Sequence, residues 1–250
     1  VVADAAAADA AAAGASAAAG TEAAIAGDAD PGAGVEERSD PLPGAHGEPG
    51  AGCVFCHPEV QPPALAETAH VRLVPDKYPL LPGHLLVITR EHLACLGAAS
   101  AEVVAEVEAM AARARAFLVE RYGAPLTWEN GVAGQSVFHA HLHLIPKPAA
   151  LELPPTDGAG GWSPAGGLQD LREHHRRHGH YHYVELGAER RIMTPDGELI
   201  RRMRGTLARA AGIKPGDGRF VRATTPADVE EVARRWGDWA GNPAGLRAPR

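Results

Sequence analysis

Residues 134–146 read GQSVFHAHLHLIP. Within them His139, His141 and His143 alternate with Ala140 and Leu142, and Leu144 follows. A repeat of two is the period of a β-strand. The spacing predicts a strand over 138–145, with the imidazoles on one face at roughly 6.6–7 Å intervals. Leu142 and Leu144 then point the other way, into a core. Histidines gathered on one sheet face indicate chemistry rather than packing: a metal site, or a nucleophile with its proton donors. The preceding residues, NGVAGQS, narrow the choice. Gly131 and Gly134 let backbone N–H groups turn toward an anion, beside Gln135, and Ser136 adds a hydroxyl donor. An anion cradle next to imidazoles suits phosphorus chemistry.

Working outward, Val71–Val74 and Leu85–Thr89 read as strands separated by PDKYPLLPGH, a Pro/Gly-rich turn. Ser100 to Tyr122 reads as a helix, capped by Ser100 and stopped by Gly123 and Pro125. Val103, Val107, Met110, Ala114, Phe117 and Leu118 form its apolar stripe. Leu126–Glu129 is a further strand. Strands beside one long helix predict an α+β domain with an antiparallel sheet. Residues 149–168 read as a loop, followed by a histidine-rich run from His174 to His182, also placed on a loop. A strand pair (Tyr181–Leu186 and Arg190–Met193) and a helix over 198–211 come next. A last helix starts at Thr225, with Pro226 in its first position, and runs to about Trp239. Its Val229, Val232 and Trp236 should face inward. The organisation expected is a leader (1–52), a domain (53–150) and an α/β extension (151–250) packed on it.

The 250 residues carry a formal charge of −7, which is unevenly spread. Residues 1–52 hold nine acidic side chains and one basic one, Arg38, whereas the remainder is close to neutral. The leader is rich in alanine and holds no apolar side chain bulkier than Ile25 or Leu42 to pack it, so it is expected to be disordered. No apolar run reaches the ~20 residues that span a bilayer, and the first residues lack a secretory pattern. Three cysteines make no disulfide framework, which suits a reducing, cytoplasmic location. A near-neutral globular part also speaks against a dominant nucleic-acid surface.

CVFC places Cys53 and Cys56 at zinc-knuckle spacing. A closed zinc site takes four ligands and there is no second cysteine pair, so histidines would have to complete it. A redox pair and ordinary reduced thiols are the alternatives, and His57 competes as a ligand by adjacency. Cys95 reads as a small buried hydrophobe.

GQSVFHAHLHLIP resembles the signature of the histidine-triad (HIT) superfamily of nucleotide hydrolases and transferases. VRLVPDKYPLLPGHLLVITREHL, residues 71–93, is similar to that family's first hairpin and PGH element. The resemblance covers about 53–148. It implies a HIT-like sheet, and it implies that His141 attacks the α-phosphorus of a nucleoside 5′-phosphoryl compound to form a nucleotidyl-histidine. His143 and Ser136 would hold the phosphate and protonate the leaving group, and His84 would support the triad. Asp76 would bind ribose hydroxyls, and Val54, Phe55 and Val74 would surround the base. Asn130 and Gln135 would contact the nucleotide. ENG at 129–131 resembles the ENxG of the galactose-1-phosphate uridylyltransferase branch, but that branch has Gln in place of the third His, and His143 favours the hydrolase side. In zinc-containing relatives the CxxC pairs with a K/R-x-H histidine and the first triad histidine, which implies one structural Zn2+ held by Cys53, Cys56, His92 and His139. The resemblance also admits a homodimer built on a helix and a strand edge, a surface the extension could cap instead. A non-catalytic nucleotide- or partner-binding module is the other reading of the same fold. The histidine-rich run is expected near the phosphate end of a substrate.

Overall fold

A computed structural model of the chain describes residues 52–132, 134–147, 161–195 and 225–241. Their strands are β1 (Ala66–Glu67), β2 (Val71–Pro75), β3 (Leu85–Thr89), β4 (Pro125–Glu129), β5 (His141–Pro146), β6 (Ser163–Pro164), β7 (His182–Leu186) and β8 (Glu189–Met193). The helices are α1 (Ala101–Arg121), α2 (Leu171–His178) and α3 (Pro226–Ala240). All strand pairs are antiparallel, in one sheet of order β1-β2-β3-β5-β4-β7-β8-β6. The expected α+β class holds. The leader up to residue 51 and the helix expected over 198–211 lie outside the described residues.

Period-two alternation divides the sheet into two faces. Val71, Leu73, Leu85, Val87, Leu142 and Leu144 join the buried stripe of α1 in the main core. Ser100 caps α1 by accepting the Val103 N–H, as its sequence position predicts. The other face carries Val74, Leu86 and Ile88 in one apolar cluster and Leu126, Trp128, Ile145 and Val184 in another. The described helices lend the main core Phe117, Leu171 and Trp236, so the second face is the one left for a site.

Three expectations are corrected. The histidine strand does not begin at Phe138: its ladder starts at His141, and His139 stands in the turn before it. There the His139 amide donates to the Val137 carbonyl, which tightens the backbone before pairing begins. The histidine-rich run is not a loop. His174, His175 and His178 lie on α2, where Glu173 pairs with Arg176 and Arg177 at helical spacing and Gly179 ends the helix at φ 76°. His182 is a strand residue. The loop expected over 149–168 contains β6, which pairs with β8.

The extension does not pack as a separate layer, since β7 pairs with β4 and continues the sheet. This closes the β4 edge to any partner strand. α3 closes one end of α1: Trp236 and Trp239 lie edge-on to Phe117, at 5.2 and 5.7 Å between centroids, and the Trp239 indole donates to Glu120. Thr225 and Asp228 form the capping box that starts α3.

Two buried carboxylates join the extension to the sheet. Glu185 on β7 accepts from Arg115, Arg190 and Tyr183. Glu129 at the end of β4 accepts the Leu96 N–H and the Tyr181 hydroxyl, each at 2.7 Å. Tyr181 in turn accepts the Gly97 N–H and donates its own amide to the Gly131 carbonyl. Burial pushes the Glu129 carboxyl up to about 7, against the two bonds that favour its charged form.

Phe117 is fully buried among Tyr122, Trp236 and Trp239. Phe117→Ala should therefore destabilise the fold by about 3–5 kcal/mol in a denaturant titration. Glu129 makes stability depend on pH. Its folded value lies above the unfolded one, so its contribution is complete below about pH 4 and is lost as pH rises through about 7. Glu129→Gln should remove that decline, and thermal midpoints measured from pH 5 to 8 should show the variant gaining on the parent as pH rises.

Candidate active site

The second face is built by rows of cross-strand partners. Ile88 pairs with His141, Arg72 lies opposite Ile88, and Leu86, His143, Trp128 and Val184 form the next row. All of these side chains are buried.

His139 and His141 are fixed by backbone oxygens, and those bonds determine which ring nitrogen does what. A carbonyl only accepts, so the 2.7 Å contact from His139 Nε2 to the Thr89 oxygen places the proton on Nε2 and the lone pair on Nδ1. That Nδ1 faces Cys53 Sγ at 3.4 Å and Cys56 Sγ at 3.7 Å. Cys56 Sγ also lies 3.3 Å from His92 Nδ1. Ligands at ordinary zinc bond lengths on a tetrahedron are separated by about 3.5 Å, so this donor set fits a closed tetrahedral ion. The four donor atoms all lie within 4.8 Å of one another, and the group could hold a metal. Burial pushes the Cys53 thiol up and lowers His139 to about 4, so the imidazole is neutral and ready to ligate. Arg72 donates from Nη2 to the Phe55 carbonyl and so braces the turn between the two cysteines.

His141 Nδ1 lies 2.6 Å from the carbonyl oxygen of His139. The proton is therefore on Nδ1, and Nε2 carries the lone pair that an electrophile would meet. The Phe55 ring stands edge-on to His141, 5.0 Å between centroids, and His143 is next at 4.8 Å. His143 Nδ1 contacts His84 Nε2 at 3.0 Å. On the far side of His84, the Leu80 N–H and Asp76 Oδ2 both address Nδ1, each at 3.2 Å. The amide suits the lone pair and the carboxylate suits an N–H, so His84 stands between two tautomers. Asp76, His84 and His143 also group as metal-type ligands. Their contacts run through opposite nitrogens of the His84 ring, which suits a proton relay and not a chelate.

The other sequence-derived candidates divide into two sets. Phe55 and Val74 are buried together, with Val54 packed against them, beside His141. Asp76 is buried, and its second oxygen accepts the Tyr78 N–H at 2.7 Å. Ser136 is exposed at the mouth of the loop before β5. The side chains of Asn130 and Gln135 are engaged by the fold itself. Asn130 Oδ1 accepts the Trp128 indole N–H at 3.1 Å, and Gln135 Nε2 donates to the Ala94 carbonyl at 3.0 Å.

Trp128 was not singled out from the sequence. Its ring stacks on His143, 3.9 Å between centroids with 13° between planes. The signal available was its place in the row opposite His143, which only a known register reveals.

The HIT domain family model matches residues 58–150. An adenosine 5′-monophosphoramidase of Schizosaccharomyces pombe is 36% identical over 101 residues, 38% of this chain and 74% of that protein. An uncharacterized HIT-like protein of Mycoplasma pneumoniae is 31% identical over 102 residues, 38% of this chain and 71% of that protein. Among solved structures, a Zn-bound histidine triad family protein from Mycobacterium smegmatis is 25% identical, covering 64% of this chain and 91% of its own, with a TM-score of 0.34. With the triad placed and these relatives covered over most of their length, the chain belongs to the HIT domain family.

Proposed function

We propose that this protein cleaves a nucleoside 5′-phosphoryl compound, a phosphoramidate or a dinucleoside polyphosphate, at the α-phosphorus through a nucleotidyl-histidine on His141. The observation that carries the reading is the 2.6 Å bond from His141 Nδ1 to the His139 oxygen, which aims a lone pair from Nε2. The phosphoramidase name of the fission-yeast relative supports the hydrolase class.

The lone pair of His141 forms the P–N bond as the bond from phosphorus to the leaving group breaks. His143, with His84 and Asp76 behind it, supplies the proton that the leaving group takes. Ser136 and the backbone of the Gly131–Ser136 loop hold the non-bridging oxygens. Water, or another acceptor, then attacks phosphorus, and the P–N bond breaks back to neutral His141. Val54, Phe55 and Val74 take the base and Asp76 the ribose. The side chains of Asn130 and Gln135 shape the loop, so their part in nucleotide binding runs through its backbone.

One structural Zn2+ on Cys53, Cys56, His92 and His139 would be fully coordinated and would lock the turn that carries His141. The support is the donor set and its spacing. Three free thiols suit a reducing, cytoplasmic compartment. Among the described residues no helix is long and apolar enough to cross a membrane. A homodimer would have to use a surface other than the β4 edge, which β7 occupies. A non-catalytic nucleotide-binding module is the second reading, favoured only if ligand binds without turnover.

An acid-free quench during turnover of adenosine 5′-phosphoramidate should trap a chain heavier by one nucleotidyl group. His141→Ala should abolish both the adduct and turnover, and His143→Ala should slow turnover by about 10²–10⁴-fold. Micromolar nucleotide binding with no adduct and no turnover would establish the module instead. Stripping the metal with a chelator, or Cys56→Ser, should lower the thermal midpoint, because ion binding and folding are linked. An unchanged midpoint would refute the structural-zinc assignment.

A further inference from the structure

The face that carries the triad continues into the extension, and it bears another buried imidazole there. His182 opens β7 and is 2% exposed. Neither of its ring nitrogens has a hydrogen-bond partner among the described residues. Its neighbours Tyr181 and Tyr183 point into the helix-side core, and Val184 lies with Trp128 and Ile145, so His182 faces the triad side.

Register places it more closely. Glu129 pairs with Tyr183, and the Tyr181 amide bonds to the Gly131 carbonyl, so the β4–β7 register runs on and sets Asn130 opposite His182. On the other side, the β4–β5 ladder ends where Trp128 pairs with His143, and His141 lies one same-face step from His143 in the direction in which His182 lies one step from Val184. His141 and His182 thus lie at the same end of this face, along a row that crosses β5, β4 and β7, with the chain leaving β4 at its middle. Two strand spacings put about 10 Å between the histidine backbones.

A buried imidazole with both nitrogens unsatisfied destabilises the folded chain, so its presence calls for a ligand. Arg191, diagonal to His182 on β8, bonds to Glu189 at 2.6 Å.

We propose that His182 is a specificity residue of the leaving-group subsite, where it hydrogen-bonds a phosphoryl oxygen of an extended polyphosphate leaving group. This rests on attack by His141 at the α-phosphorus. An ammonia leaving group stays beside His141 and His143 and does not span the row to His182. A chain of phosphates running over Asn130 does. With diadenosine tetraphosphate, the bond from the α-phosphorus to its bridging oxygen breaks, ATP departs on that oxygen, and the nucleotidyl group stays on His141. The choice between phosphoramidate and polyphosphate then falls to a residue outside the triad segment.

The test compares kcat/KM of the full chain and of His182→Leu and His182→Asn on adenosine 5′-phosphoramidate and on diadenosine tetraphosphate. His182→Leu should lose about 10–100-fold on the tetraphosphate while staying within about twofold on the phosphoramidate. Its thermal midpoint in the absence of substrate should rise, because two unsatisfied nitrogens are removed. His182→Asn, which restores a donor and an acceptor, should recover part of the tetraphosphate activity and serves as the probe if the leucine variant does not fold. Equal losses on both substrates, or no loss on either, would overturn the subsite. A parent chain active on the phosphoramidate alone would overturn the subsite and leave the hydrolase reading standing. A parent chain inert on both would overturn the hydrolase reading. The subsite is then judged by binding: tetraphosphate affinity that falls in His182→Leu while AMP affinity holds supports it, and unchanged affinity overturns it.

Discussion

One backbone oxygen ties the metal-type cluster to His141, the proposed nucleophile. The ring of His139 is held by the Thr89 carbonyl and turned toward Cys53 and Cys56, while its own carbonyl oxygen takes the Nδ1 proton of His141. Anything that fixes the His139 ring therefore fixes the acceptor that selects the tautomer of His141. The start of β5 at His141 belongs to the same arrangement. Were His139 part of the ladder, its carbonyl would pair across the sheet and could not turn to the next imidazole. The local break in the strand is what turns the His139 ring toward the cysteines and its carbonyl toward the His141 ring.

A second chain of contacts positions His143, the proposed proton donor. Trp128 covers one face of His143, and His84 holds its Nδ1. Trp128 is anchored at its indole by Asn130, the first residue of the loop before β5. The stack thus links the ring that handles the proton to the loop that would hold the phosphate. A buried aromatic on the strand next to the triad gives the imidazole a fixed plane without adding a competing charge.

Much of this was legible in the sequence because it rests on short-range patterns. The α1 stripe, the Ser100 cap, the β2–β3 hairpin and the start of α3 at Thr225 are all local signals, and the structure keeps them. The gathering of Cys53, Cys56, His92 and His139 was also legible, through the family resemblance and not through spacing alone. What could not be read depended on register or on competition between neighbouring forces. The place of Trp128 against His143, and of His182 in the row of His141, needs the pairing of strands far apart in sequence. The helix over 171–178 was obscured by its histidines, although Glu173 already stood three and four residues before Arg176 and Arg177. The bonds from the Trp128 indole to Asn130 and from Gln135 Nε2 to the Ala94 carbonyl likewise could not be read from the sequence.

Gly131 sits at φ 39°, and a Cβ built on it would lie 2.4 Å from the Tyr181 ring. The phosphate-side loop of the triad segment therefore has its floor in the extension, not in the segment that carries the histidines. The two cannot be exchanged separately between relatives: a different residue at 181 leaves the loop unsupported, and a different residue at 131 collides with the floor. A chimera that joins this triad segment to another C-terminal half would need a ring at position 181 to keep the floor under Gly131.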